Sequence, residues 1–396
     1  MKLLRIESLG DLRGKRVLLR VDFNVPLRDG RVADDYRLLM ALPTIRRLRD
    51  LGARLVVCSH LGRPKGPDAK LSLGPVAKRL GELLEGEVRF VPHIVGPEAE
   101  AAAAALEDGQ VLVLENLRFD PGEKQNDPAF AAALARLGDV FVSDAFGVCH
   151  RAEASTVGVT AHLPKAAGDL VATEIEKLTP LREGTAPKPF YVVLGGAKLA
   201  DKIPVLEAFL PKVDGIFVGG AMAYTFLHAM QKPIGKSLLD ESAVDDALRI
   251  LEVAREAARD RGCELVLPID HVVAKGPNDL DGFAVVDEIP SDVMGLDVGP
   301  ATIAAFTKRL RGAKTVFWNG PLGMFECKPF HLGTHYMASV LGCTQSIKTV
   351  VGGGDSVAAT RELGLEHTMD WISTGGGASL EYVQGVDLPG LKALEA

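Results

Sequence analysis

Residues 17–64 read VLLRVDFNVPLRDGRVADDYRLLMALPTIRRLRDLGARLVVCSHLGRP. Two short apolar runs, Val17–Val21 and Arg54–Cys58, flank an amphipathic stretch over Tyr36–Asp50. The runs have the length and β-branched content of strands, and the stretch between them has the length of a helix. Strands alternating with helices predict parallel sheets covered on both faces. In open sheets of that kind, ligands bind outside the carboxyl ends of the strands. Both runs end in polar chemistry: Asp22-Phe23-Asn24 after the first, Ser59-His60-Leu61-Gly62-Arg63-Pro64 after the second.

The same alternation continues along the chain. Val111–Leu114 and Val140–Ser143 are further strand candidates, with helices near Gly74–Leu84, Pro97–Glu107 and Asp127–Leu137. In the second half, Phe190–Leu194, Gly215–Val218, Glu264–Leu267, Thr315–Trp318 and Thr349–Val351 read as strands. The pattern breaks where a helix over Gly168–Arg182 is followed by EGTAPKP at 183–189. Two prolines and a glycine there stop a helix and start an extended linker. The expected fold class is therefore α/β, with two doubly wound parallel-sheet, Rossmann-like domains joined by a hinge helix. The expected division is residues 1–167, a hinge helix and linker at 168–189, residues 190–375, and a C-terminal segment at 376–396 returning toward the first domain. No tandem repeat with a period of 20–50 residues is present.

The chain has 396 residues, 47% of them hydrophobic and 24% charged, which is the balance of a globular protein with room for two or three domains. No apolar run reaches the length of a membrane-spanning helix. The N-terminal MKLLRIESLGDLRGKRV carries charges where a signal peptide needs an apolar core, which predicts no secretion. The five cysteines form no CxxC pair, which argues against zinc or a disulfide framework and fits a reducing cytoplasm. Cys149, beside His150, is expected to be an inert thiol.

A net charge of −7 argues against broad nucleic-acid binding. The charge is unevenly spread. Residues 1–185 hold 26 basic and 26 acidic side chains, and the remainder holds 19 and 26. Arginine is more lopsided, with 18 in the first part and 7 in the second. Since arginine suits bidentate recognition of carboxylate and phosphate, a small anion is expected to bind the N-terminal half.

The loops after the strands sharpen this. In the first half three of them deliver His60 with Arg63, then Arg118, then His150 with Arg151. A single such arginine reads as a surface ion pair; three on one rim point to an anion site. In the second half the loops are Gly195-Gly196-Ala197-Lys198 with Lys202 four residues on, Gly219-Gly220, Asn319-Gly320-Pro321-Leu322-Gly323 with Glu326, Gly352-Gly353-Gly354-Asp355-Ser356, and Gly375-Gly376-Gly377. Glycine lets backbone N–H groups approach a phosphate, and a following helix points its positive end there. With two lysines and an aspartate suited to magnesium, a nucleotide site is expected. No GxGxxG is present, and Gly235-Lys236-Ser237 has Met230 where a P-loop needs glycine. The protein-kinase motifs and zinc-ligand spacings are absent too. An anion site on one domain and a magnesium-nucleotide site on the other predict phosphoryl transfer across a cleft.

At these loops the sequence resembles the phosphoglycerate kinase family. The resemblance covers essentially the whole chain, through RVDFNVP (20–26), SHLGRP (59–64), LENLRF (114–119), DAFGVCHR (144–151), LGGAKLADK (194–202), WNGPLGMFE (318–326), GGGDS (352–356) and STGGGAS (373–379). It implies reversible, magnesium-dependent phosphoryl transfer between 1,3-bisphosphoglycerate and ADP, giving 3-phosphoglycerate and ATP, in the cytoplasm, by a hinge-bending monomer. It also implies roles. Asp22, Phe23, Asn24, Arg37, His60, Leu61, Gly62, Arg63, Arg118 and Arg151 hold phosphoglycerate on the first domain. Lys198 and Lys202 face the nucleotide phosphates and the transferring group. Gly219, Gly220 and Gly295 border the adenosine slot, and Glu326 bonds the ribose. Gly353, Gly354, Asp355 and Ser356 cradle phosphates, with Asp355 on Mg²⁺; Asn319 belongs to the nucleotide site. Arg37, Lys198, Lys202, Gly354 and Gly376 stabilise charge during transfer. Four positions depart from the common pattern: Glu153 stands where a second His is usual, Thr173 replaces a Lys, Val293 a Trp and Tyr224 an Asn. Another two-domain kinase acting on a small carboxylic acid, and a non-catalytic nucleotide-binding protein, are the alternative readings.

Overall fold

The computed structural model describes residues 2–396. The chain forms two compact units, residues 2–176 with Asp387–Ala396, and Lys177–Val386. The division falls inside the helix Asp169–Glu183, and the return to the first unit begins at Asp387. The last ten residues belong to the first unit because their backbone bonds there: Leu4 N donates to Leu394 O at 3.0 Å and Gly390 N to Cys149 O at 2.9 Å.

In the first unit the strands are β1 (Arg16–Val21), a small hairpin of β2 (Leu27–Arg28) and β3 (Arg31–Val32), then β4 (Arg54–Cys58), β5 (Val88–Phe90), β6 (Val111–Val113), β7 (Val140–Asp144) and β8 (Lys165–Ala167). Six of them form one parallel sheet in the order β5-β6-β4-β1-β7-β8. The side chains of β1 alternate across it. Val17, Leu19 and Val21 pack with Leu38, Ala41, Leu42, Ile45 and Leu48 of the helix Tyr36–Asp50, and with Leu55 and Val57 of β4. Burying each such aliphatic side chain contributes about 1.5–3 kcal/mol. Arg20 faces the other way and is fully buried, so the strand that reads as apolar carries a charge that must be paired inside.

In the second unit the strands are β9 (Phe190–Leu194), β10 (Gly215–Val218), β11 (Glu264–Val266), β12 (His271–Ala274), β13 (Ala284–Val286), β14 (Met294–Val298), β15 (Thr315–Asn319), β16 (Lys348–Gly352) and β17 (Trp371–Ile372). A second six-stranded parallel sheet has the order β11-β10-β9-β15-β16-β17. Its core is aromatic. Phe209 packs between Phe190 and Phe317 at centroid distances of 5.9 and 5.6 Å, and Phe217 meets Phe306 at 5.0 Å. The expected α/β class and parallel sheets are what the chain adopts. Several strands were not anticipated: the β2–β3 hairpin, β5, β8 and β17, and an antiparallel three-stranded sheet of β12, β13 and β14 whose outer strand β13 is largely exposed and whose pairing is interrupted by a register shift at Val272/Val273.

Asp144, at the carboxyl end of β7, ties the sheet to the helix that follows. Its Oδ1 accepts from Leu170 N at 2.9 Å and Val171 N at 3.3 Å. Burial pushes its carboxyl up to about 7, against the lowering effect of the hydrogen bonds from Thr44, Val171 and Leu170. A raised carboxyl keeps its proton in the folded state after the unfolded chain has lost it near the ordinary value of 3.8. Stability is therefore lost as pH climbs from that value through about 7. Asp144→Asn keeps an acceptor for the helix and cannot ionise. Urea midpoints between about pH 5 and about pH 8 should fall less in this variant than in the parent protein; parallel pH profiles would contradict the assignment.

Candidate active site

In the first unit, strand order reverses at β1, whose neighbours are β4 and β7. Loops leaving such a point diverge to opposite faces and open a crevice at the carboxyl ends. Asp22, which follows β1, is buried and accepts from Arg37 Nη1 at 2.8 Å. The same nitrogen reaches Asn24 O at 3.2 Å, so the first turn of the helix Tyr36–Asp50 is clamped to the β1 loop. Asn24 itself is exposed, and its Oδ1 accepts from Gly62 N at 2.8 Å. Phe23 and Leu61 are core residues, so what they offer a ligand is backbone.

His60 is buried beside Arg20, whose Nη2 lies 3.3 Å from His60 Nδ1. A guanidinium only donates, so Nδ1 accepts and the imidazole proton sits on Nε2. Burial first, then the charges of Arg20, Arg118, Arg37 and Arg151, hold the His60 pKa well below its ordinary value. His60 is thus a neutral donor fixed in one tautomer. Arg20 is anchored in turn on Ser155 Oγ at 2.8 Å, and Ser155 N donates to the buried Glu123 at 3.0 Å. Arg118 is 6% exposed; its Nη1 donates to Gly62 O at 2.7 Å and its Nη2 to Glu153 Oε1 at 3.3 Å. Arg151 Nη1 lies 3.8 Å from the same oxygen. Arg63 is exposed and has no ion pair among the described residues. The structure therefore gathers Asp22, Asn24, Arg37, Gly62 and Arg118 into one bonded network, with Arg151 joined through Glu153 and His60 beside it, its Nδ1 3.9 Å from Asp22 Oδ1.

In the second unit the reversal is at β9, between β10 and β15. Here three loops meet backbone to backbone. A Cβ on Gly195 would lie 2.0 Å from Pro321 O, and Gly196 N donates to that carbonyl at 3.0 Å. Gly220 N bonds Leu322 O at 2.8 Å. These glycines let the loops form a floor. Gly354 and Gly376 are different: a Cβ on either would meet nothing within 4 Å, so their bareness leaves room above the floor.

Two cavities share that floor. A polar basin of 520 Å³ is lined by Lys198, Lys202, Asn319, Gly353, Gly354, Asp355, Gly376 and their neighbours. A 390 Å³ slot, more apolar, is lined by Gly220, Tyr224, Gly295, Leu296, Leu322 and Glu326 among others. Gly196, Ala197, Pro321 and Asp355 line both, so the two adjoin. Lys202 Nζ donates to Asn319 Oδ1. Burial lowers the Lys202 pKa, and Asp201 and Asp355 oppose the shift. Asn319 is buried, and its Nδ2 has no partner. The backbone N–H groups of the first turn of the helix Gly354–Glu362 border the basin without intrahelical acceptors.

Two expected contacts lie beneath the cavities. The Ser356 hydroxyl accepts from Gly320 N at 2.6 Å, and the residue is fully buried. Gly219 is buried, and a Cβ there would meet Leu322 at 2.4 Å. Burial pushes the Cys149 thiol up to about 12, which removes it from nucleophilic chemistry.

Three residues escaped the sequence reading: Arg20, Asn116 and the pairing role of Glu153. An arginine inside the run VLLRV was the available signal for the first, because a buried charge requires partners. Asn116 organises two loops at once. Its Oδ1 accepts from Leu61 N at 3.0 Å and Arg118 N at 3.1 Å, and its Nδ2 donates to Leu61 O at 2.8 Å and Leu71 O at 2.9 Å. Asn116→Ala orphans all four backbone groups and should cost about 2–3 kcal/mol in urea unfolding. Arg63→Ala, on an exposed side chain, should stay within about 0.5 kcal/mol. Comparable small losses in both would show that Asn116 does not hold the loops.

Residues 6–386 match the family model described as phosphoglycerate kinase. The phosphoglycerate kinase of Anaeromyxobacter dehalogenans is 50% identical over 402 residues, covering 100% of both chains. That of Thermus thermophilus is 50% identical over 388 residues, covering 97% of this chain and 98% of its own. Among solved structures, phosphoglycerate kinase from Coxiella burnetii superimposes with a TM-score of 0.86 at 38% identity, covering 99% of this chain and 98% of its own. The enzyme from Pyrococcus horikoshii does so with a TM-score of 0.85 at 30% identity, covering 99% and 98%. The chain therefore belongs to the phosphoglycerate kinase family and is a phosphotransferase of glycolysis.

Proposed function

We propose that the basic network of the first unit binds the phosphoglycerate and that the adjoining slot and basin of the second unit bind a magnesium nucleotide. The reaction is then reversible transfer between 1,3-bisphosphoglycerate and ADP, giving 3-phosphoglycerate and ATP. The observation that carries this reading is the junction of the two cavities. An apolar slot adjoins a basin lined by two lysines, by Asn319, whose Nδ2 has no partner among the described residues, and by the N-terminal turn of a helix. That is the shape and polarity of a nucleoside joined to a polyphosphate.

Each residue has a physical task in this reading. Gly220, Gly295 and Leu322 flank the base, and Glu326, at the slot's rim, accepts from ribose hydroxyls. Gly353 and Gly354 receive phosphate oxygens. Asp355 adjoins slot and basin alike and supplies the carboxylate for Mg²⁺. A donor set with so few protein carboxylates fits magnesium, which takes one or two carboxylates and completes its shell with phosphate oxygens and water. The nucleophile is the substrate's own carboxylate, already ionised at neutral pH, so no general base is needed. The charge that needs stabilising is on the transferring phosphoryl oxygens. Lys198, Lys202, Arg37 and the bare N–H groups at Gly354 and Gly376 are assigned to it. On the acid side, the neutral His60 Nε2–H and the arginines bind the phosphoglycerate. A cytoplasmic location fits the free cysteines.

Lys202→Ala should lower kcat in a coupled assay with ATP and 3-phosphoglycerate by on the order of 10²-fold or more, as for other preorganised donors. A normal kcat with only a raised nucleotide KM would make Lys202 a ground-state contact. In-line transfer needs reacting atoms about 3–3.5 Å apart, and two ligands held on separate sheets reach that distance through closure about residues 168–189. Small-angle scattering should show a larger drop in radius of gyration with both ligands than with either alone. A ternary complex no more compact than the free protein would rule out closure.

A further inference from the structure

Glu153 is the one carboxylate that Arg118 and Arg151 share. It is 5% exposed, and its Oε1 lies 3.3 Å from Arg118 Nη2 and 3.8 Å from Arg151 Nη1. Its Oε2 has no hydrogen-bond partner. The backbone holds it in place: Glu153 N donates to Thr156 Oγ1 at 3.0 Å, and that hydroxyl lies 2.9 Å from Arg151 O. Arg118 needs such a neighbour. Its side chain is 3% exposed, its Nε is unpartnered, and Gly62 O is its other acceptor. A buried guanidinium without a counter-charge is strongly destabilising.

A carboxylate in this place has a second consequence. It is the same chemical group as the acid end of the substrate, and it already occupies one donor nitrogen of Arg118. An arriving anion finds one N–H of that nitrogen engaged and a negative charge beside it. Resting on the reading of this network as the phosphoglycerate site, we propose that Glu153 is a built-in counter-anion that holds Arg118 and Arg151 in the empty site and weakens anion binding there. It is a positioning residue that speeds release, since affinity differences within one site lie mostly in the off-rate. The position is one where this chain departs from its motif: a cation or neutral ring would not neutralise Arg118, whereas a glutamate does.

The test is calorimetric titration of the full-length protein, without nucleotide, with 3-phosphoglycerate and with sulfate. Glu153→Gln keeps the shape and an acceptor for Arg118 but removes the charge. Binding of both anions should tighten about tenfold, and should weaken more steeply with added salt than in the parent, because the site gains net positive charge. Glu153→Met, which removes the charge at similar volume, should give the same tightening and serves if the glutamine variant is unstable. A folded variant that binds both anions no better than the parent, with an unchanged salt dependence, overturns the proposal. If sulfate tightens while neither protein binds 3-phosphoglycerate, the counter-anion stands and the substrate assignment falls.

Discussion

The structure depends on one topological constraint: each parallel sheet reverses its strand order at the strand that opens it, β1 in one unit and β9 in the other. Loops leaving a reversal point must go to opposite faces, so a crevice remains at the carboxyl ends whatever residues occupy it. The residues then decide what the crevice recognises. At β1 the neighbouring loops bring a histidine and arginines; at β9 they bring bare glycines and two lysines. The same architecture thus carries a cluster of arginines in one unit and a glycine-built floor with two lysines in the other, which are the proposed anion and nucleotide sites.

The two sites handle charge differently. The clamp is stabilised by side chains that neutralise one another before any ligand arrives: Asp22 with Arg37, Glu153 with Arg118 and Arg151. Burial and four surrounding arginines keep His60 uncharged, so it adds a donor without adding a further buried cation. The floor relies on the backbone. Its loops are held by backbone contacts too close for any side chain, as between Gly195 and Pro321, and the donors it offers are the N–H groups at the bare Gly354 and Gly376. Backbone dipoles need no counter-ion, and only Lys198 and Lys202 bring full positive charge into the basin.

Most of the site was legible because its residues sit directly after strands that read clearly. The motif-bearing loops supplied His60, Arg118, Lys198, Lys202 and Asp355 from spacing and chemistry alone. What escaped was the second layer. Arg20 lies within an apolar run and Asn116 within a loop already credited to its neighbour Arg118. Their roles depend on which loops meet in space, and local sequence does not encode that. Glu153 was visible as a departure, but its pairing with two arginines required coordinates. The antiparallel sheet of β12–β14 was missed because β12 and β13 are only four and three residues long and run on to the next strand without the helix that the strand–helix alternation leads one to expect.

The central claim is that two units recognise two reactants independently, through charge in one and backbone in the other. Isothermal titration of Arg118→Ala and Lys202→Ala, each with 3-phosphoglycerate and with magnesium ADP, tests it most directly. The account predicts a crossed pattern: Arg118→Ala loses 3-phosphoglycerate affinity and keeps that for the nucleotide, and Lys202→Ala spares 3-phosphoglycerate. A variant that loses both ligands while remaining folded, or an Arg118→Ala protein that binds 3-phosphoglycerate normally, would contradict it.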